Sequence, residues 1–341
     1  MDRQEKRNHL AMFGGGYDAE RRPGGYTRRD DASHIYPNAE EYYEWWYFDA
    51  SLTNGCHVVV TFHYRNIFLR PMAPSIQLFF YLPDGTKIER YELVAPADAS
   101  AGPDCCDVKM GSSWVRDLGD QRYELSMRIQ DLGAHLIFKN TVPPWKPGTG
   151  FNYRDEAAGR TAGWVVPVPQ AEVTGTLTVK GRDEAVRGSG YHDHNWGNYH
   201  CWRTFRAWYW GRIHHAAYTV DYAQVLPRDP AMPVLTPLLV ARGDEIVLST
   251  NRLRVAHAEK TAEPSFGQTY ARRMDLSAET EWIRFHLTLE VRDVIERLKL
   301  PRVTDWDHFY YRFVADYRLD VAIDGVEEHI EGELLHELML L

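Results

Sequence analysis

The sequence predicts an all-β protein of two consecutive antiparallel β-barrels with little helix. Turn dipeptides carry much of this: Asn54-Gly55, Asp84-Gly85 and Asp324-Gly325 each stand beside short apolar runs. In that setting Asn-Gly or Asp-Gly supplies the positive φ that two-residue hairpin turns demand. The runs themselves are rich in β-branched and aromatic residues, which suit a pleated, half-buried surface. Length sets the number of units: 341 residues exceed most single domains, so two cores are expected.

Residues 1–35, with Gly14-Gly15-Gly16 and Arg21-Arg22-Pro23-Gly24-Gly25, carry almost no periodic apolar signal. They are expected to form an extended, partly ordered arm. The first domain, 36–200, begins its strands near Glu44, with runs at Trp45–Leu52, His57–Tyr64, Ile76–Leu82, Tyr123–Ile129, His135–Asn140 and Val173–Lys180. A loop rich in Pro and Gly, Val142–Gly148, interrupts them. The second domain, 201–341, offers Trp202–Ile213, Ala217–Val225, Leu238–Ala241, Glu245–Thr250, Glu281–Val291, Phe309–Ile323 and His329–Leu335. The spacing favours a meander that closes on itself, because closure removes exposed edges. Asp293–Leu300 reads as a short helix stopped by Pro301.

Composition narrows the function classes. Hydrophobic residues make up 44% and charged residues 26%, which excludes disorder or a collagen-like chain for the bulk of the molecule. The aromatic load of 11 Trp, 20 Tyr and 13 Phe fits either core filler or an aromatic-lined pocket. Net charge is −9 with the two signs interleaved; without a basic stripe, nucleic acid is not an expected partner. The opening residues Met1–Lys6 lack a secretory apolar region, and no apolar run is long enough for a spanning helix. Cys56, Cys105, Cys106 and Cys201 form neither a disulfide framework nor a zinc pattern. A cytoplasmic protein with free thiols is expected.

The densest chemistry lies in Gly188-Ser189-Gly190-Tyr191-His192-Asp193-His194-Asn195-Trp196-Gly197. In an extended chain alternate residues share a face, so His192, His194 and Trp196 point one way and Asp193 and Asn195 the other. Buried polar groups this dense must be paired, and a structural His/Asp network that locks two barrels together explains them as readily as a reaction does. In Glu44-Trp45-Trp46-Tyr47-Phe48-Asp49, Trp45 and Tyr47 share one face and Trp46 and Phe48 the other. The bland reading there is a first strand buried on both sides, with Glu44 and Asp49 at a barrel mouth. Trp202, Thr204, Arg206, Trp208 and Trp210 fall on one face of a later run. Its Arg206 would bind a carboxylate or carbonyl of a ligand, or simply snorkel from the wall.

Glu-Trp-Trp-Tyr-Phe followed far downstream by Gly-Tyr-His-Asp-His-Asn-Trp-Gly resembles the carotenoid 1,2-hydratase (hydroxyneurosporene synthase) and AttH-like superfamily, which includes kievitone hydratase and fungal Diels–Alderases. Trp164-Val165-Val166-Pro167, Val173-Thr174-Gly175 and Glu331-Gly332-Glu333 agree with it. The resemblance implies two lipocalin-like barrels and a small apolar substrate, an isoprenoid or polyene, collected through peripheral membrane contact. It implies a cofactor-free hydratase or dehydratase in which Asp221 and His194 are the acid/base pair, Trp196 stabilises positive charge, and Asp193 and Tyr218 assist. Glu44, Trp45, Trp46, Tyr47, His192, Asn195, Arg206, Trp208, Trp210 and Tyr222 would line the substrate. The chain departs from the family's hydratases at Thr219, where a Tyr is expected, with Tyr218 and Tyr222 straddling the position.

Hydration of an isolated double bond needs a positioned acid, an aromatic wall for the carbocation and a held water. A pericyclase that only folds a polyene, and a carrier of apolar ligands, remain open. The His192-x-His194 spacing also suits a metal, but no acid follows it in the next few residues, so no metal is expected. Gly188-Ser189-Gly190 lacks the elbow of a serine nucleophile.

Overall fold

The computed structural model describes residues 19–215 and 217–341; the Gly14–Gly16 stretch and the opening residues of the arm lie outside them. The described chain forms two compact units, one running Gly24–His200 and the other combining residues 19–23 with Cys201–Leu341. Each is a single antiparallel sheet wrapped around its own core.

The first unit contains β1 (Tyr43–Leu52), β2 (His57–Arg65), β3 (Ser75–Tyr81), β4 (Lys87–Leu93), β5 (Ala99–Ala101), β6 (Asp107–Met110), β7 (Ser113–Gly119), β8 (Arg122–Ile129), β9 (Leu132–Asn140), β10 (Phe151–Asp155), β11 (Arg160–Val179) and β12 (Arg182–Gly197). They are ordered β4-β3-β2-β1-β12-β11-β9-β8-β7-β6-β5, with β10 paired to β11. The two long strands β11 and β12 carry the sheet, and β1 lies along β12 in unbroken register from Tyr43↔Gly197 to Leu52↔Gly188. Period-two alternation puts Trp46, Phe48, Val58, Val60, Phe62, Leu125 and Phe138 into one core.

The second unit contains β13 (Phe205–His215), β14 (Tyr218–Pro227), β15 (Leu238–Arg242), β16 (Glu245–Thr250), β17 (Arg254–Ala262), β18 (Thr269–Glu279), β19 (Ile283–Lys299), β20 (Phe309–Ile323) and β21 (Val326–Leu340), in the order β16-β15-β14-β13-β21-β20-β19-β18-β17. Tyr209, Val220, Tyr222, Met274, Leu287, Phe313 and Leu319 fill its core. The arm is divided between the units. Glu20 bridges to Ser249 on β16, and Arg22 pairs with Glu245 there. Residues 28–31 instead form a turn of 3-10 helix in the first unit, with Asp31 fully buried.

The two-barrel, lipocalin-like architecture stands, with three corrections. Neither sheet closes by a ladder, since the path ends at β4 and β5 in one and at β16 and β17 in the other. Asp293–Leu300 is not helical: Asp293–Lys299 is the far end of β19, paired to β20, and Leu300 follows it. Register shifts between Val291 and Asp293 and between Val294 and Glu296 mark bulges, and an inserted residue turns a period of two into helix-like spacing. Trp202 and Thr204 belong to a helical turn, Cys201–Thr204, so they do not share a strand face with Trp208.

Glycines let β1 and β12 lie close. A Cβ on Gly190 would meet Phe138 at 2.4 Å, Val173 at 2.6 Å and the Asp49 carbonyl at 2.8 Å. Gly190→Ala should therefore lower stability by about 1–3 kcal/mol, the usual cost of overpacking. Urea unfolding measures this, and an unchanged midpoint would show that the two strands can separate freely.

Candidate active site

The register of β1 on β12 sets Glu44 opposite Trp196, Trp46 opposite His194 and Phe48 opposite His192. All six face the interior of the first barrel. The rings stack: Phe48 on His192 at 3.8 Å and 8°, and Trp46 on His194 at 4.4 Å and 16°. Trp196 is covered by His34 of the arm, 3.8 Å away and parallel within 2°. Gly163 makes room for that indole, because a Cβ there would lie 2.2 Å from it.

Four titratable groups with no exposure join across this layer. His192 Nε2 lies 3.0 Å from Asp31 Oδ2, and His194 reaches Glu44 Oε1 with Nε2 at 3.0 Å and Asp31 Oδ1 with Nδ1 at 3.4 Å. Tyr123 OH donates to Asp31 Oδ2 at 2.9 Å. Glu44 accepts from the His34 backbone N–H at 2.7 Å, from Ser33 Oγ at 3.2 Å and from Tyr42 OH. His192 Nδ1 lies 2.9 Å from the Tyr47 carbonyl. That nitrogen is the donor, because a carbonyl oxygen only accepts.

Burial governs the other pair. It pushes the Glu44 carboxyl up to about 7, against the hydrogen bonds from Tyr42 and His34. It pushes His194 down to about 3 although Asp31 pulls the other way. A proton between them therefore belongs to Glu44, and His194 is neutral near pH 7. Burial also pushes His34 down to about 4.

The other face of the same strands carries Tyr47, Asp49, Tyr191, Asp193, Asn195 and Trp45. Asp193 accepts from Tyr191 OH at 3.1 Å and Asn195 Nδ2 at 2.9 Å, while Tyr47 OH donates to Asp49 at 2.8 Å. Asp193 is thus not the carboxylate of the inward histidines, and Trp45 cannot line a cavity with Trp46. The inward indoles Trp46 and Trp196, only 0% and 2% exposed, are packed on His194 and His34. The network knits the first barrel to its own arm.

Asp221 stands in the second barrel on β14, opposite Arg212 of β13 and Leu239 of β15. Tyr218, Val220 and Tyr222 fill the interior, so Asp221 takes the outward face of the wall, still fully buried. Alternation along β13 leaves Trp208 and Trp210 off that core as well, whereas Ala207, Tyr209 and Ile213 are in it. Tyr222 OH pairs with His336 Nδ1 at 2.9 Å. Burial pushes Tyr218 up to about 12. Arg206 is exposed at the end of β13.

Sequence reasoning missed Asp31, His34, Tyr42 and Tyr123. The available signal was one of accounting: two inward imidazoles needed acceptors, and Asp193 faced away from them. Asp31, Cys106 and His192 bring one ligand atom each within 4.8 Å of one another and are the described residues able to take a metal ion; His192 and Asp31 are joined there by a direct hydrogen bond.

Folded Glu44 keeps its proton to a higher pH than the unfolded chain. Its contribution to stability is thus full below the ordinary 4.5 and is lost as pH rises to about 7. Gln at this position offers His194 an N–H in place of the acid O–H and does not titrate. Thermal unfolding of Glu44→Gln should gain on the parent chain through this window, by up to about 1.4 kcal/mol per pH unit crossed. Parallel curves would mean that Glu44 ionises alike in both states.

Comparison with known proteins agrees with this architecture. A hydroxyneurosporene dehydrogenase of Chlorobaculum tepidum is 26% identical over 335 residues, covering 84% of this chain and 80% of that one. Among solved structures, CghA bound to Sch210972 aligns with a TM-score of 0.67 at 15% identity, over 93% of this chain and 96% of its own. An AttH protein from Nitrosomonas europaea gives 0.63 at 16%, over 92% and 96%. Kievitone hydratase from Nectria haematococca gives 0.60 at 16%, over 94% of each chain. At these identities the structures testify to the fold alone. The family model described as Diels-Alderase-like matches residues 29–271, nearly all of the first barrel and the first half of the second, and the chain belongs to the Diels-Alderase-like family.

Proposed function

We propose that the protein is a cofactor-independent hydratase or dehydratase acting on a carbon–carbon double bond of an apolar, isoprenoid-like polyene. One observation carries the reading: Glu44 holds a proton near neutral pH at 3.0 Å from a neutral His194, between the indoles of Trp46 and Trp196. A carboxylic acid of that strength suits general acid catalysis. Its proton would go to one alkene carbon, leaving a tertiary carbocation on the other. Indole faces stabilise such a cation. Water then forms the new carbon–oxygen bond and gives up a proton, which restores the acid. The names of two relatives, a hydroxyneurosporene dehydrogenase and a kievitone hydratase, favour polyene substrates and water addition. The family description favours a second reading, cyclisation of a folded polyene without proton transfer.

Heavy-oxygen water separates the two, because hydration builds the label into product and cyclisation does not. With an acyclic isoprenoid polyene presented in micelles, labelled alcohol should form. Glu44→Gln and His194→Ala should each lose about a hundredfold or more in turnover per folded molecule, and the double variant should be little worse. Asp221→Asn tests, in the same assay, the acid that the family resemblance assigns. Unlabelled cyclic product, or full activity in folded Glu44→Gln and Asp221→Asn proteins, would end the hydratase reading.

A further inference from the structure

The second barrel carries an open cleft of about 680 Å3 whose lining includes Arg206, Phe266, Lys299, Asp307, Phe309 and Leu340. That volume is typical of small-ligand sites. Its apolar floor belongs to the barrel core: Phe309 is a core residue, and Phe266 and Leu340 pack against it. Phe266 stands on the turn between β17 and β18, with its ring 5.4 Å from Phe309 and 6.5 Å from Tyr311.

The turn is built to hold that ring. The Glu263 carboxylate, 1% exposed, accepts from the backbone N–H groups of Ser265 and Phe266 at 3.0 Å and from Arg297 Nε at 3.0 Å. Gly267 supplies the positive φ of 68° that returns the chain to β18. Deeper on β20 the hydroxyl of Tyr311 is buried and has no hydrogen-bond partner among the described residues, which is costly unless a ligand or water completes it.

The side chains of the lining carry two positive charges and one negative. Lys299 Nζ is neutralised by Asp307 at 2.7 Å, whereas the exposed guanidinium of Arg206 forms no ion pair among the described residues. An unpaired guanidinium beside two phenyl rings presents a forked donor for a planar anion and faces for its body. We propose that this cleft is a binding site for a carboxylate carried on a flat, apolar body, with the head on Arg206 and the body laid against the contacting rings of Phe266 and Phe309. Its lining residues all belong to the second barrel, and it is read by binding rather than turnover.

The test compares two probes of one shape, 1-pyrenebutyrate and 1-pyrenebutanol, by fluorescence titration of the full chain. The acid should bind saturably at one site, about tenfold or more tighter than the alcohol. Arg206→Gln should abolish that preference by weakening the acid alone; the side chain is exposed, so the fold survives its loss. Phe266→Ala should weaken both probes alike. Absence of saturable binding, equal affinity for acid and alcohol, a preference that survives Arg206→Gln, or indifference to Phe266→Ala would each overturn the assignment.

Discussion

Two carboxylates and two imidazoles lie without solvent inside the first barrel, and the rest of that barrel is arranged so that none of them is alone. Breaking a buried ion pair by removing one partner costs about 3–5 kcal/mol, far more than the pair returns against an apolar substitute. Asp31 and Glu44 therefore restrict what the chain can do around them. The arm must cross the barrel so that Asp31 meets His192 and His194. The loop entering β1 must place the His34 amide on Glu44. A slip of one residue between β1 and β12 would send both histidines to the other face and leave the carboxylates facing indoles. The glycines at 163 and 190 follow from the same demand, since the aromatic rings that sheathe these groups occupy the space a side chain would need.

Legibility from sequence followed the range of the physics. Alternation along Trp45–Phe48 and Tyr191–Trp196 is local, and each of those side chains points where a period of two puts it. The turn at Gly55 has its positive φ, as do those at Gly85 and Gly325. Asp31 was not legible because its partner His192 is 161 residues away and its own segment has no apolar rhythm. Asp293–Leu300 misled for the opposite reason: its rhythm was real, but two bulges had rewritten it. Asp221 lay between these cases. Its alternation with Val220 and Tyr222 is local, yet alternation alone cannot say which face is the inside, and Tyr218, Val220 and Tyr222 fill the core.

The divided character of the Gly188–Trp196 segment bears on how much such a motif says about a reaction. Its inward residues, His192, His194 and Trp196, are held by carboxylates and rings of the same barrel, while Asp193 accepts from both Asn195 and Tyr191 on the other face. A segment engaged on both faces by its own fold will mark relatives of that fold whatever they catalyse.

Fastening the arm and holding a proton have one cause here. Withdrawal of Glu44 from water makes its charge expensive, and the molecule meets that expense by supplying donors from Tyr42, Ser33 and the His34 amide and by keeping the proton toward His194. Each donor lowers the cost of ionisation, yet burial still outweighs them and leaves the carboxyl at about 7. Full solvation would return an ordinary carboxylate with no proton to give at neutral pH. Removal of the donors would push the group higher still and make it a poorer acid. The balance that keeps the barrel closed on its arm is thus the same balance that would set the acid's strength, and neither can be altered without the other.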